Sequence, residues 1–224
     1  MTLLAGEAVV AIWNGIAPEA RAPFYDWHIN EHIPERVGIP GFRRGRRYIA
    51  VDTDTHPEFF TLYETDTMQV LQGSDYTNRL NQPTPWTKAT TAHFRDTARA
   101  LSRVVVSHGP GAGGVMLTIR FDCDDSQIDA LGALVGAAAK APRITGAHLC
   151  QGDRAASAVR TAESKDRTDI QAPPNCFIML EATDAAALAS LVPDQAMANA
   201  GARGPFVRGV YRLEYSRTKT AFVP

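Results

Sequence analysis

Cysteine is scarce, charge is nearly balanced and long apolar runs are missing, and each absence narrows what this chain can be. The three cysteines, Cys123, Cys150 and Cys176, are an odd number without CxxC spacing. They read as reduced thiols in a cytoplasmic protein rather than as a disulfide framework. No stretch approaches the roughly 20 apolar residues of a membrane helix. The N-terminus lacks the basic region and apolar core of a signal peptide, because Glu7 interrupts it. A net charge of −1 gives no reason to expect nucleic acid or an anionic membrane as partner. The Gly109–Gly114 run (GPGAGG) opens a strand, not a helix, which removes the phosphate-cradling reading. What remains is an ordinary globular composition, 45% hydrophobic and 21% charged. The 224 residues suffice for one large domain or two of about 100 residues.

Two similar halves emerge along the chain. In the first, Ala8–Ile12 reads as a strand, a helix runs to His32 with a further turn to Val37, and Phe42–Val51 and Glu58–Glu64 read as strands. A helix over Thr67–Leu80 and a strand over Ala100–Ser107 complete a β-α-β-β-α-β unit. In the second, Val115–Phe121, Ile144–Gln151, Cys176–Glu181 and Phe206–Tyr215 are strands. Ser126–Lys140, capped by Asp125, and Ala185–Leu191 are helices. LYETDTMQVL (Leu62–Leu71) matches LEATDAAALASL (Leu180–Leu191), and Gly41 and Gly146 both stand at the start of a second strand. The boundaries fall at 1–108 and 109–224, with Gly109–Gly114 as linker. Each unit leaves one sheet face uncovered, so the expected fold is α+β, two fused ferredoxin-like units closing a pseudo-dimeric barrel. Polar Gly152–Pro174 is expected to be a mobile loop.

The densest chemistry lies in FYDWHINEHIPERVGIPGFRRGRRY, Phe24–Tyr48. His28 and His32 are four residues apart and share a helix face. Four arginines follow on a strand, where alternation puts Arg44, Arg46 and Tyr48 on one face with Phe42, and Arg43 and Arg47 on the other. These arginines are either an anion clamp or a rim salt-bridged to Glu31, Glu35 or Glu58.

The run W-H-x-x-E-H-I-P-E-R-V-x-I-P-G-F-x-R-x-R-R-Y, Trp27 to Tyr48, resembles the EthD-like branch of the dimeric α+β barrel proteins. LYE (Leu62–Glu64) and PTPWT (Pro83–Thr87) extend the likeness. The second half fits as a degenerate copy without a Glu-His pair or Trp on its helix. The resemblance implies a pocket between sheet and helices. It covers cofactor-free monooxygenases, lactone isomerases, cyclases, dehydratases, haem-degrading enzymes and stress-response proteins, and fold alone does not choose among them. His32 falls at the family's Glu-His position, and Arg47 also matches a family position.

His32 is the first candidate for general acid or base, with His28 beside it; a helix histidine bonded to a backbone carbonyl is the structural alternative. Arg47 or Tyr63 would hold an oxyanion. Phe24, Trp27, Tyr48 and Trp86 would line an apolar pocket, with Glu64 a second polar group at a strand end. His28-x-x-Glu31-His32 formally matches an inverted zinc-peptidase motif, but no third ligand is indicated, so neither metal nor cofactor is expected. The expected activity is a cofactor-independent lyase or isomerase acting on a small apolar carbonyl, aromatic or polyketide-like compound. A cofactor-free monooxygenase, a ligand-binding barrel and a haem or metal protein are the alternatives. The expected partner is a small-molecule substrate, and a homodimer can form through exposed strand edges.

Overall fold

The computed structural model describes residues 4–172 and 174–219. Its strands are β1 (Ala8–Ile16), β2 (Phe42–Ala50), β3 (Phe59–Thr65), β4 (Phe94–His108), β5 (Val115–Asp122), β6 (Ile144–Gly152), β7 (Cys176–Ala182) and β8 (Arg203–Thr218). They close into one barrel in the order β1-β3-β2-β8-β5-β7-β6-β4. Each half contributes the strand order of a ferredoxin-like unit, β4-β1-β3-β2 and β8-β5-β7-β6. Antiparallel β2–β8 and β4–β6 ladders weld the halves together. Every barrel strand is paired on both sides over part of its length, so the strand edges left for pairing with a second copy are stretches of β4 and β8 that run past one neighbour.

Strand alternation sorts side chains into two compartments. Inward positions, including Val9, Ala11, Trp13, Tyr48, Phe60, Leu62, Phe177 and Met179, fill the barrel. Outward positions pack under helices. On the first half these are α1 (Arg21–Trp27), α2 (Ile33–Gly38), α3 (Met68–Gln72), α4 (Ser74–Asn81) and α5 (Pro85–Thr91). On the second they are α6 (Ile128–Ala138) and α8 (Asp194–Asn199), whose core is almost wholly aliphatic. The helix-bearing space of the first half is the one that carries buried polar groups.

Several expectations need correction. The Thr67–Leu80 helix is broken at Gly73, whose extended backbone separates α3 from α4. Asp124, not Asp125, caps the turn before α6, in a capping box with Gln127. Phe42 is not on the Arg44 face: a bulge between Phe42 and Arg44 turns its ring outward, into the cluster with Tyr63 and Tyr76. Gly146 is not the counterpart of Gly41. It pairs with Glu181 as Arg44 pairs with Glu64, and the match to Gly41 (φ 83°) is Arg143 (φ 68°). Cys123 and Cys176 form a disulfide with Cα atoms 6.4 Å apart, which replaces the expectation of three free thiols, and only Cys150 is free.

The Gly152–Pro174 segment is not a free loop over its described residues; Pro173 lies outside them. It forms α7 (Arg154–Ala158), capped by Asp153, and then straps across the first half. Glu163 N donates to Leu80 O (3.1 Å), Ala162 N to Asn81 Oδ1 (3.0 Å) and Thr97 Oγ1 to Asp169 Oδ2 (2.6 Å). A parallel bridge joins Thr97 to Ile170.

Candidate active site

Helix α1 runs into a π-helical turn, His28–His32, and then into α2. Pro34 supplies a local cause. It has no N–H to donate to Asn30, and its ring crowds that carbonyl, so the turn before it widens. The widened turn drives both imidazoles against the outer face of the sheet. His28 and His32 are only 4% and 6% exposed. Their ring centroids are 5.5 Å apart; His28 stacks on Phe24 at 5.0 Å, and His32 lies 4.2 Å from Trp27 and 6.3 Å from Tyr63. Close approach of α2 is allowed by Gly45, where a Cβ would come within 3.0 Å of both Ile33 and Tyr63.

Two arginines flank the imidazoles. Arg47 points outward from β2, its Cζ 4.4 Å from the Tyr25 ring centroid, and its Nε donates to Glu214 at 3.3 Å. Arg36, four residues after His32, pairs with Glu163 of the strap and lies 3.7 Å from Glu35. Five buried polar atoms in this cluster make no hydrogen bond: Nδ1 of His28, Nδ1 of His32, a terminal nitrogen on each of Arg36 and Arg47, and the Tyr63 hydroxyl. Such groups are normally satisfied, and here five of them lie together in one cluster.

Burial first, then the Arg47 and Arg36 charges, hold His28 well below the usual imidazole range. His32 is held down likewise, by burial and then by Arg36, His28 and Arg79. Both are therefore neutral near pH 7 and free to accept a proton. Burial pushes Tyr63 up, so its phenol keeps its proton and can donate a hydrogen bond. Burial also lowers Arg47 despite the opposing pull of Glu214. Two neutral imidazoles thus sit beside two cations and a hydroxyl donor, all of them buried side chains.

Of the residues singled out in the sequence, Phe24, Trp27, His28, His32, Arg47 and Tyr63 come together. Tyr48 and Glu64 do not: they occupy inward positions of β2 and β3, on the other face of the sheet. Trp86 stands on α5, 39% exposed. The useful residues of PTPWT are its threonines. Trp27 Nε1 donates to Thr87 Oγ1 (3.1 Å), while Thr84 and Thr87 both donate to Glu31 Oε1, at 2.6 and 3.2 Å. Thr84 also caps α5. That network fixes the face of the histidine turn. Arg36, Glu163 and Glu214 are absent from the sequence-based candidates; Arg36 is visible in the E-R-V of the motif and in its i, i+4 spacing from His32, whereas the two glutamates arrive from the second half.

None of the arginines of β2 pairs with Glu31, Glu35 or Glu58. Arg43 pairs with Asp66 and Arg44 with Glu64. Arg46 is buried inside the barrel between Glu64 (3.0 Å) and Glu181 (2.7 Å). The barrel end is thus closed by an ion cluster that joins one carboxylate from each half. Among the described residues no group of three His, Cys, Asp or Glu side chains is placed to hold a metal, so His28 and His32 lack a third ligand.

No protein-family model matches the chain, and no curated protein sequence matches it. Solved structures do. An anthrone oxidase-like protein is 14% identical with a TM-score of 0.59, over 94% of this chain and 92% of that one. A monooxygenase candidate from Fusobacterium nucleatum subsp. nucleatum is 8% identical with a TM-score of 0.56, over 96% of each. A chlorite dismutase candidate is 10% identical with a TM-score of 0.53, over 94% and 96%. The fold is the dimeric α+β barrel, completed within one chain. At such identities the likeness speaks for the fold alone. Among the described residues no helix is long and apolar enough to cross a membrane.

Proposed function

We propose that the chain is a cofactor-independent enzyme that removes a proton from carbon next to a carbonyl of a small apolar, aromatic or polyketide-like compound. The observation that carries this reading is the pair of buried, neutral imidazoles whose Nδ1 atoms have no partner, set beside Arg36, Arg47 and the Tyr63 hydroxyl. His32 acts as the base, with His28 stacked beside it. Charge that moves onto the carbonyl oxygen is held by Tyr63 O–H and by an arginine N–H, donors that strengthen as the oxyanion forms and cost no reorganisation. The Phe24, Trp27 and Tyr63 rings packed around the imidazoles lower the local polarity, which magnifies these electrostatic terms. The enolate then collapses by taking a proton at another carbon or by expelling a leaving group β to the carbonyl, an isomerase or lyase outcome; loss of carbon dioxide from a β-keto acid would reach the same enolate without the proton abstraction and use the same oxyanion donors.

A second reading, in which dioxygen captures the carbanion, is favoured by fold neighbours described as anthrone oxidase-like and as monooxygenase candidates. The Trp27–Tyr48 motif supports placing the chain in the EthD-like branch. Exchange of the acidic C–H of anthrone and of 1,3-diketones in D2O, under argon and then in air, tests both readings. We expect protein-dependent exchange that His32→Gln slows by about 100-fold or more. Exchange without dioxygen uptake supports the first reading, and coupled uptake the second. Exchange no faster than in buffer, or unchanged in His32→Gln, refutes both.

A further inference from the structure

A cleft lies between the outer face of β4, helix α4 and the strap, away from the histidine turn. It consists of cavities of about 400 and 260 Å³ that share Leu80, Arg99, Val159 and Thr161 as walls, so Arg99 stands between them. Leu71, Leu101 and Ile170 add apolar surface at the two ends. The volumes suit the body of a small organic molecule.

Each acidic group around the cleft is already engaged, and two of its arginines, Arg160 and Arg99, have no carboxylate partner among the described residues. Glu163 is taken by Arg36, and Asp169 by Arg167. Asp153 caps α7 through Ala156 N and accepts from Gln72 Nε2. The Arg160 guanidinium donates to the Ser164 and Arg167 carbonyls, at the exposed rim. Arg99, half-buried beneath the strap, has no carboxylate partner among the described residues. Its Nη2 donates to Tyr76 Oη at 3.0 Å, and its Cζ lies 5.8 Å from that ring's centroid. A guanidinium presents a fork of donors made for a carboxylate, and covering one without a counter-ion is costly.

We propose that this cleft binds an organic carboxylate with an apolar body, and that Arg99 is its counter-ion. The carboxylate meets the guanidinium fork while the body spreads over Leu80, Leu101 and Val159. The strap forms one wall of the cleft, so the second half of the chain builds a binding site on the first. Binding is independent of proton transfer at His32, so the two proposals stand or fall separately.

Calorimetric titration of the whole protein with 2-naphthoate, and with its neutral isostere 2-naphthamide, tests the proposal. The expected result is saturable one-to-one binding of the naphthoate, with the amide about tenfold weaker or worse. Arg99→Gln brings the naphthoate down to the amide's level, while Arg103→Gln, an exposed arginine on the same strand face, changes nothing. Val159→Trp, made at an exposed position of the strap, fills the cleft and weakens both ligands, and so tests the site should Arg99→Gln fail to fold. Equal affinity for acid and amide, no saturable binding, or full retention of naphthoate affinity in both Arg99→Gln and Val159→Trp would overturn it.

Discussion

Arg46→Met should be among the most destabilising single changes in this protein. Arg46 is 1% exposed and touches two carboxylates that are themselves buried, Glu64 at 3.0 Å and Glu181 at 2.7 Å. Glu64 keeps Arg44 after the change, whereas Glu181 keeps only Gly113 N and the imidazole of His148 at 3.4 Å. Breaking a buried ion pair from one side costs about 3–5 kcal/mol, because the charge left behind is uncompensated. A second route gives a similar figure. Burial pushes the Glu181 carboxyl up, but Arg46 and His148 outweigh it and bring it down to about 2. Set against an ordinary glutamate, that shift is worth about 3 kcal/mol, present above about pH 4.5 and lost as pH falls through the folded value. Melting followed by circular dichroism at pH 7 should fall by about 6–20 °C, taking 2–4 °C per kcal/mol for a chain of this size. Adding Glu181→Gln to Arg46→Met should restore part of the loss. An Arg46→Met protein that melts within about 2 °C of wild type would show that the buried carboxylates do not depend on Arg46.

Two further predictions follow from the same electrostatics. His28 and His32 are depressed in the folded state, so their neutral forms support folding above the unfolded value of about 6.5, and that support is lost as pH falls through the folded values. His28→Gln or His32→Gln should each flatten the acid limb of the stability profile by up to about 1.4 kcal/mol per pH unit, and a limb of unchanged slope speaks against buried neutral imidazoles. Glu163→Gln should weaken the latch between the strap and Arg36, costing about 2 kcal/mol and speeding amide exchange over residues 153–172. Exchange there that matches wild type would show that the ion pair does not hold the strap.

Much of the fold was legible because each half repeats the same order of apolar strands and helices. A sheet face without helices can be buried only against its duplicate. The grouping on the helix side of the candidate site was legible for a similar reason: Phe24, Trp27, His28 and His32 recur at helical spacing, and one face must meet the sheet. The strand side was harder. Tyr63 and Glu64 are neighbours, yet period-two alternation sends the first to the histidines and the second to the barrel interior. The bulge that turns Phe42 outward and the register that brings Glu214 beside Arg47 depend on long-range pairing, which spacing does not encode. The strap misled for a different reason. Its composition is that of a loop, and what orders it is a set of polar contacts to Leu80, Asn81, Thr97 and Arg36, all distant in sequence.

His28 and His32 as neutral bases beside cations can be tested without knowledge of the substrate, by nitrogen-15 NMR titration of the imidazoles. Single His→Gln variants assign the signals. Both rings should stay neutral down to well below pH 6.5. Two ordinary titrations centred near 6.5, with protonated rings at pH 6, would mean that the imidazoles are not held neutral by burial.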